Sequence, residues 1–285
     1  MITAVISRKG GVGKTTTSVN LAAALALSGR RVLLVDLDSQ ASASLSLGVP
    51  REELAPSSAD VLLGGFLASE AIRPTKVPGL DLITASVDLI HADLELGRYR
   101  SRESRLKGAL ASIAPRYDLI FLDCPSSLSL VPINAIVAAD AFLVPTMPHF
   151  LSLTGVTNLI AAAYRASHEA GGRIVLLGVL LTMVDYRIKS TRTHVEALRA
   201  ELGSKVFAIE IRVNNRLAEA PEHGQSIFQF DSTAKGAAAY RLAAQEFVLR
   251  ATDAGRRIAA EVPPTVGGAE PIGESAEATL ANSRS

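Results

Sequence analysis

The segment Arg8–Thr17 has the clearest chemical purpose in this sequence, because it combines glycines, lysines and threonines in one short stretch. Glycines let the backbone approach a polyphosphate and turn its N–H groups inward. A lysine neutralises the β- and γ-phosphates, and a threonine hydroxyl coordinates Mg²⁺. A helix starting near Lys14 directs the positive end of its dipole at the same anion. These features predict a nucleotide-binding loop made of Gly10, Gly11, Val12, Gly13, Lys14, Thr15 and Thr16.

The segment departs from the strict phosphate-loop pattern, because Arg8 stands where that pattern has its first glycine. A second lysine, Lys9, precedes the glycines instead. The alternative is a glycine-rich turn flanked by chance lysines. The apolar run Ile2–Ser7 before the loop and the helical pattern after it form the strand–loop–helix context of a phosphate site, so nucleotide binding is favoured.

Short runs of Val, Ile and Leu alternate with helical patterns along the chain. Unbroken apolar runs are typical of strands covered on both faces, and the alternation predicts right-handed crossovers. The fold class is therefore α/β: a single doubly wound, P-loop NTPase-like domain with a mostly parallel central sheet. The predicted strands are Ile2–Ser7, Arg31–Asp36, Leu80–Thr84, Asp118–Asp123, Ala141–Thr146, Ile174–Thr182 and Val206–Ile209. The predicted helices are Thr15–Leu27, Arg102–Ile113, Pro132–Ala138, Leu153–Glu169, Ser190–Leu202 and Ala234–Ala260.

Composition narrows the class of protein. The 285 residues are 48% hydrophobic with a net charge of +1, which speaks against bulk electrostatic capture of nucleic acid but permits a local basic patch. The longest apolar run, Ile174–Val184, is about half of the ~20 residues that a membrane span needs. Cys124 is the one cysteine, which excludes a disulfide framework. We expect an ATPase domain over residues 1–260 and, from its Pro/Gly/Ser/Glu content, a disordered tail over 261–285.

Two carboxylate-bearing segments follow predicted strands. Asp36–Gln40 begins at the end of one strand, and Asp123 follows four apolar residues in another. A carboxylate at the carboxyl end of a buried strand beside a phosphate loop is well placed for Mg²⁺. For Asp36 alone, a capping role at the end of the strand fits as well as a role in the site. Cys124 is interpreted as a small buried hydrophobe rather than a nucleophile.

The run Lys9–Thr16 resembles the deviant Walker A motif of the ParA/MinD family of ATPases. In that family the additional lysine reaches across a nucleotide-sandwich dimer to the phosphates bound by the other subunit. The resemblance implies ATP and Mg²⁺ as cofactors, with Lys14 acting within its own subunit and Lys9 acting across the dimer. A second cation on the transferring phosphoryl group would act like an arginine finger.

Two other motifs extend the resemblance. Asp36–Gln40 is similar to the family's D-x-D-P-Q segment, with Ser39 in place of proline, which implies that Asp38 lies near the attacking water. Leu119–Pro125 is similar to the family's Walker B strand, which implies that Asp123 binds Mg²⁺ with Thr15, directly or through water. The catalytic residues implied by the resemblance are Lys9, Lys14 and Asp38.

The C-terminal half is similar to the same family. Gly178–Arg187 resembles the segment after its sixth strand, and Arg216–Pro221 opens a match to its C-terminal signature. This resemblance covers nearly all of residues 2–250 and indicates the small form that lacks an N-terminal helix-turn-helix domain. In those proteins an ATP-bound dimer binds DNA without sequence preference. The positions implied here for DNA contact are Arg187, Arg216 and Lys235, and Arg241 and Arg250 are candidates for widening the patch.

Two segments depart from the family pattern. Arg212–Asn214 stands where Pro-Arg-Asn is usual, which bears on a DNA or adenine contact. Met147–Phe150 stands where a loop containing Gln or Glu is common, at a place where nucleotide state is communicated to a partner. His149, within the second segment, receives no predicted role.

The resulting hypothesis is a cytoplasmic, nucleoid-associated partition ATPase for chromosomes or plasmids. It implies a homodimer closed by ATP, non-specific DNA binding, no membrane contact, and release when a ParB-like or other adaptor protein stimulates slow hydrolysis. Alternatives are a positioning ATPase for a carboxysome or chemosensory array and a MinD-like division-site regulator, whose amphipathic C-terminal helix the tail does not supply. A relative of the nitrogenase iron protein would need two cluster cysteines, and an amidoligase conflicts with the C-terminal match.

Overall fold

A computed structural model of the chain describes residues 1–127 and 129–260. Eight strands form one sheet in the order β3-β4-β2-β5-β1-β6-β7-β8. All neighbouring strands are parallel except the pair β3 and β4. The strands are β1 Ile2–Val5, β2 Val32–Asp36, β3 Ile72–Pro74, β4 Leu80–Ile83, β5 Leu119–Asp123, β6 Ala141–Thr146, β7 Val175–Val184 and β8 Val206–Arg212. The predicted mostly parallel α/β fold is confirmed.

Twelve α-helices connect and cover these strands in the described part of the chain. They are α1 Lys14–Leu27, α2 Ser42–Ser46, α3 Ser58–Leu63, α4 Ala68–Ala71, α5 Leu89–Leu96, α6 Arg105–Leu110, α7 Leu130–Ala138, α8 Ser152–Glu169, α9 Lys189–Leu202, α10 Asn215–Glu219, α11 Ile227–Phe230 and α12 Lys235–Ala260. None of the described helices is both long and apolar enough to cross a membrane. The predicted tail, 261–285, lies outside the described residues.

The sheet separates two apolar cores, as the side-chain alternation of β2 shows. Leu33 and Val35 belong to the core beneath α3 and α5–α9, whereas Val32 and Leu34 belong to the core beneath α1 and α12. Burial on both faces explains why the strands read as continuous apolar runs. Because the strands other than β3 run parallel, the loops that follow them lie at one common edge of the sheet. Each core packs one layer of helices against the sheet and so fixes the elements on either side of these loops.

The ends of the sheet differ from the sequence-based expectation. β8 extends to Arg212 because Glu210 and Arg212 pair with Leu181 and Val184 of β7, although the polar residues break the apolar pattern. The short strand β3 was not predicted; it pairs antiparallel with β4 at the sheet edge and contains a proline, which an edge strand tolerates.

Candidate functional site

The phosphate loop connects β1, near the middle of the sheet, to α1. Gly11 and Gly13 have φ angles of 74° and 76°, a left-handed conformation that glycine adopts without strain. Gly13 is also the N-cap of α1, and no side chain caps the helix. From β7, the Thr182 hydroxyl donates to the Val12 carbonyl oxygen at 2.7 Å. The loop is therefore shaped by its glycines, braced from a neighbouring strand, and left with uncapped backbone N–H groups for an anion.

Lys14 lies in a buried cluster of opposite charge. Its ammonium is 3.5 Å from an oxygen of Asp123 and 3.8 Å from an oxygen of Asp38, with only 7% of its side chain exposed. Burial disfavours the ammonium, but the two carboxylates more than compensate and raise the pKa of Lys14. The structure thus brings together three residues from separate elements, α1, β5 and the loop after β2.

The Asp123 carboxylate accepts hydrogen bonds from two hydroxyls of α1. Thr15 Oγ1 donates to one oxygen at 2.8 Å, and Ser18 Oγ donates to the other at 2.7 Å. Adjacent ligands of an octahedral Mg²⁺ lie about 3 Å apart when the metal–oxygen distance is about 2.1 Å. The spacing between Thr15 and Asp123 therefore fits a shared magnesium ion, and both are oxygen donors of the kind that Mg²⁺ prefers.

Asp36 supports the site from a buried position. One of its oxygens accepts the backbone N–H of Asp38, and the other accepts both the N–H and the hydroxyl of Ser44. Burial and the neighbouring Asp123 carboxylate raise the pKa of Asp36 to about 7. These contacts position the loop that carries Asp38. Of the two roles left open by the sequence, support of the site describes Asp36 better than a simple cap at the end of the strand.

Lys9 differs from Lys14 in its surroundings. Its side chain is exposed, and no carboxylate of the described residues lies within ion-pair distance. With Arg8 it lines a small cleft of about 90 Å³ beside the loop after β6, to which His149 and Leu151 contribute. Its exposed ammonium is therefore not part of the Lys14 cluster within the same chain.

A second cavity, of about 200 Å³, lies on the other side of the loop. Its walls come from the phosphate loop, the end of β7, the Arg212–Asn214 segment and α12; they include Thr16, Met183, Val213, Asn214 and Tyr240. Asn214, part of the segment that departs from the family pattern, caps α10 through a hydrogen bond from the backbone N–H of Leu217. The cavity adjoins the phosphate loop, where a nucleotide base requires room.

Two polar contacts that the sequence did not reveal join α1 to the C-terminal part. Asn20 accepts the backbone N–H of Ile227 at 2.9 Å and donates to the Thr16 carbonyl at 2.8 Å. The hydroxyls of Thr17 and Tyr240 lie 3.2 Å apart in the core. Each pair is separated by more than two hundred residues, so no local pattern could indicate it. The only local signal is Asn20, the last polar residue before the apolar run that completes α1.

The predicted DNA-binding residues converge on one surface. Arg187, Arg216 and Lys235 line a cleft of about 1140 Å³, and Arg212 contributes to the same cleft. We call this the basic cleft. Arg187 makes two hydrogen bonds to Asp185, at 2.7 and 2.8 Å, yet 82% of its side chain is exposed.

Arg216 is held by two acids. It contacts Glu219 at 2.8 Å and Asp231 at 3.5 Å. Surface ion pairs of this kind contribute little stability, so a phosphate can replace the carboxylates. Local acids thus partly neutralise the basic cleft of the isolated chain.

Two arginines suggested as extensions lie elsewhere. Arg250 donates to the carbonyl oxygens of Leu177, Ser204 and Val206 at 2.9–3.0 Å. The interpretation that Arg250 widens the DNA patch is therefore wrong, because its guanidinium joins α12 to β7 and to the start of β8 through these hydrogen bonds. Arg241 lines a separate groove between α1 and α12 rather than the basic cleft.

Taken together, the sheet order, the loop between β1 and α1, and the carboxylate at the end of β5 define a P-loop nucleotide-binding protein. The comparisons with known proteins are more specific. A family model described as an AAA domain matches residues 1–171. The chromosome partitioning protein ParA of Caulobacter vibrioides is 39% identical over 254 residues, covering 88% of this chain and 95% of the relative.

Two other matches also cover most of both chains. The sporulation initiation inhibitor protein Soj of Bacillus subtilis is 39% identical over 245 residues, covering 86% of this chain and 97% of the relative. A Mycobacterium smegmatis structure described as cobyrinic acid a,c-diamide synthase with bound ADP and magnesium is 34% identical, with a TM-score of 0.76, and the match covers 90% of this chain and 96% of that one. The chain belongs to the ParA/Soj family of partition ATPases.

Proposed function

We propose that this chain hydrolyses ATP with Mg²⁺ and partitions DNA, in chromosome or plasmid segregation, by cycling between a nucleotide-closed homodimer and separate subunits. The main support is the placement of the phosphate loop, the exposed Lys9 and the basic cleft at one edge of the sheet. Lys9 has no carboxylate within ion-pair distance in the part of the chain that the structure describes. ParA and Soj relatives at 39% identity support the same function. The protein is then expected to associate with the nucleoid.

The proposed roles follow from the contacts. The backbone of Gly10–Thr16 and the Lys14 ammonium bind the phosphates, and Thr15 with Asp123 holds Mg²⁺, which supplies charge neutralisation at the phosphates. Asp38, which is 21% exposed and is linked to Asp36, lies beside Lys14 at the position for orienting the attacking water. The cavity of about 200 Å³ beside the loop receives the base.

Lys9 completes the site from a second subunit. Among residues 1–127 and 129–260, no carboxylate lies within ion-pair distance of the Lys9 ammonium, whereas a two-fold dimer with the phosphate loops face to face would place it at the other nucleotide. A cation supplied across the interface stabilises charge on the transferring phosphoryl group. Hydrolysis removes the group that Lys9 binds, and the subunits then separate.

DNA binding through the basic cleft is non-specific, because arginines and lysines on phosphates position a protein without reading bases. One subunit offers Arg187, Arg216 and Lys235, and a dimer doubles that number, so ATP controls DNA affinity through avidity. A ParB-like or other adaptor protein stimulates hydrolysis and ends the cycle. A protein assembly instead of DNA as cargo is the alternative outcome.

The test uses Asp38→Ala, which should bind ATP-Mg²⁺ without completing hydrolysis. Light scattering with ATP-Mg²⁺ should give the mass of a dimer, and with ADP the mass of a monomer. Duplex DNA of unrelated sequence should bind the ATP-bound variant and should not bind the ADP-bound variant. A variant that remains monomeric at saturating ATP, with nucleotide binding confirmed by fluorescence, would refute the proposed cycle.

A second candidate function is ATP-dependent activation of a small carboxylic acid for amide formation. It is favoured by the description of the 34% identical structure as a diamide synthase. The two functions differ in what stimulates turnover: DNA and an adaptor protein for partition, or a small acid with ammonia for the ligase. ATP hydrolysis that accelerates only with a carboxylic acid and an amine donor would favour the ligase.

A further inference from the structure

A groove of about 660 Å³ lies between α1 and α12, on the face of the sheet that these helices cover. Leu25, Phe228 and Ala244 are buried beneath it and form an apolar floor. Leu27 and Leu249 line the same groove and are 51% and 73% exposed. We call this surface the helix groove. Large exposed apolar side chains beside a buried apolar floor are typical of a surface that another molecule covers.

The helix groove is separate from the nucleotide site and from the basic cleft. α1 begins at the phosphate loop, and its 14 residues extend for about 21 Å, so that its last turn lines the groove. Lys235 of the basic cleft lies in the first turn of α12, whereas the groove residues of that helix begin at Arg241. In the described part of the chain, no residue lines both the helix groove and the basic cleft. The proposed nucleotide and DNA binding therefore leave the groove unused.

Two arginines give the helix groove a positive charge. Its lining includes Arg30 and Arg241 but no Asp or Glu of the described residues. No carboxylate of residues 1–127 and 129–260 lies within ion-pair distance of either guanidinium. Asp118, which lies near Arg30, pairs with Arg31 at 3.0 Å instead. The charge of the groove is therefore not balanced by acids of its own walls.

Arg241 is held in position while its charge stays available. Its guanidinium donates to the Ser232 carbonyl oxygen at 2.8 Å, and its Cζ lies 5.3 Å from the centre of the Phe228 ring. A guanidinium has five N–H donors, and a contact with a carbonyl or an aromatic ring leaves it fully charged. The other donors of Arg241 can therefore bind a carboxylate that approaches along the groove.

The shape of the helix groove matches that of another helix. The α12 residues that line it have helical spacing and form one stripe: Arg241, Ala244, Gln245, Val248 and Leu249. This stripe is about 12 Å long, which corresponds to about two turns of a helix laid along it. Helices that bind in grooves insert apolar side chains at positions i, i+3 or i+4 and i+7. A small-molecule site encloses most of its ligand, whereas the two exposed leucines leave this groove open.

We propose that the helix groove is a docking site for an acidic amphipathic helix of a partner protein. Apolar side chains of that helix cover Leu25 and Phe228, and its Asp or Glu side chains pair with Arg30 and Arg241. Charge complementarity supports this partner, because cations beside an apolar floor select acids beside an apolar stripe. The inference does not depend on the proposed ATP cycle, since the groove lies apart from the residues of that cycle.

Other occupants fit the helix groove less well. A second copy of this chain docked by the same face would bring its own Arg30 and Arg241 towards these two cations, and the like charges would repel. DNA offers the required negative charge, but its backbone contacts are polar and leave an apolar floor exposed. An acidic helix satisfies both the charge and the apolar surface.

The test uses two synthetic helical peptides and the full chain with bound ADP. The first peptide has leucines in one stripe and glutamates on both sides of it. The second has the same leucines and a lysine in place of each glutamate. Fluorescence anisotropy at low salt measures the dissociation constant of each labelled peptide.

Two pairs of substitutions change the charge by the same amount. Arg30→Gln with Arg241→Gln removes the cations of the helix groove. Arg51→Gln with Arg100→Gln is the matched control, because both arginines are exposed and neither lines the groove.

Two further pairs test the apolar part. Leu27→Ser with Leu249→Ser removes the exposed leucines of the groove. Leu67→Ser with Leu94→Ser is the control, since these leucines are 68% and 69% exposed and lie outside the groove. Circular dichroism and the affinity for fluorescent ADP confirm that each variant is folded.

The acidic peptide should bind wild-type protein at least about 10-fold more tightly than the lysine peptide does. Each groove pair should weaken binding of the acidic peptide roughly 10-fold, with unchanged ADP affinity, and each control pair should leave it unchanged. No binding of the acidic peptide, equal binding of the two peptides, or equal losses in groove and control variants would refute the inference. Self-association of wild-type protein that Leu27→Ser with Leu249→Ser abolishes would assign the groove to a second copy and would also refute it.

Discussion

The phosphate loop and the basic cleft use charge in opposite ways. At the loop, Lys14 is buried between Asp123 and Asp38, and hydroxyls of α1 satisfy Asp123, so the site is assembled before nucleotide arrives. At the cleft, the arginines are exposed and paired with acids close in sequence, as in Arg216 with Glu219. The loop therefore offers a preassembled buried site, whereas the cleft of one chain offers only partly neutralised surface cations, whose number the proposed dimer would double.

The largest expected effect comes from the loop. Lys14→Ala should reduce ATP-Mg²⁺ affinity by at least about 100-fold, because it removes the buried cation that faces the phosphates and leaves Asp38 and Asp123 to repel them. Fluorescent nucleotide titration measures the loss, and circular dichroism confirms folding. Lys76→Ala, a lysine outside the loop, is the control. A folded Lys14→Ala protein with near-normal affinity would contradict a preassembled site.

A smaller effect is expected at the cleft. Arg216→Ala should weaken DNA retention by the ATP-bound dimer roughly 10-fold and lower the salt dependence of binding, because each subunit loses one phosphate contact. Arg98→Ala is a matched control, since Arg98 is similarly exposed and pairs with Glu95 in the same i,i+3 geometry. Dimerisation measured by light scattering should be unchanged in both. Loss of dimerisation in Arg216→Ala would mean that the residue is structural.

Removal of the acid that pairs with Arg216 should have the opposite effect on DNA binding. Glu219→Gln should raise DNA affinity about 2- to 5-fold, because Arg216 loses a competing carboxylate 2.8 Å away. Glu95→Gln, which frees Arg98 in the same way, should leave DNA affinity unchanged. Fluorescence anisotropy with labelled duplex at low salt measures both. Equal gains for the two variants would show that net charge, not the basic cleft, governs binding.

The smallest effect is the pH dependence of stability through Asp36. Its pKa is raised from 3.8 to about 7 in the fold, so between these values the folded protein holds a proton that the unfolded chain has lost. Stability from this group therefore falls as pH rises from about 4 to about 7. Asp36→Asn should flatten this slope in chemical unfolding of the nucleotide-free protein, and carbon-13 titration of the carboxyl should give a midpoint near 7. Parallel unfolding slopes and a midpoint near 4 would contradict it.

The sequence predicted the parts of the molecule that are specified by residues adjacent in the chain. The phosphate loop is one continuous segment, and the central strands are continuous apolar runs, so both could be predicted with end errors of a few residues. The helices α2–α5, α10 and α11 and the strand β3 were missed because they are short and depend on tertiary packing. The supporting contacts of Asn20 and Tyr240 escaped prediction because their partners are more than two hundred residues away.

Gly236 fixes the spacing between two cations of the basic cleft. A Cβ on Gly236 would lie 2.7 Å from Leu217 Cγ, so the Leu217 side chain of α10 packs directly on the backbone of the first turn of α12. Lys235 and Arg216, on either side of this contact, have their spacing set by helix packing rather than by side-chain reach. Substitutions can thus alter the charge of the basic cleft one residue at a time, while the spacing between these two cations stays constant unless Gly236 itself is replaced.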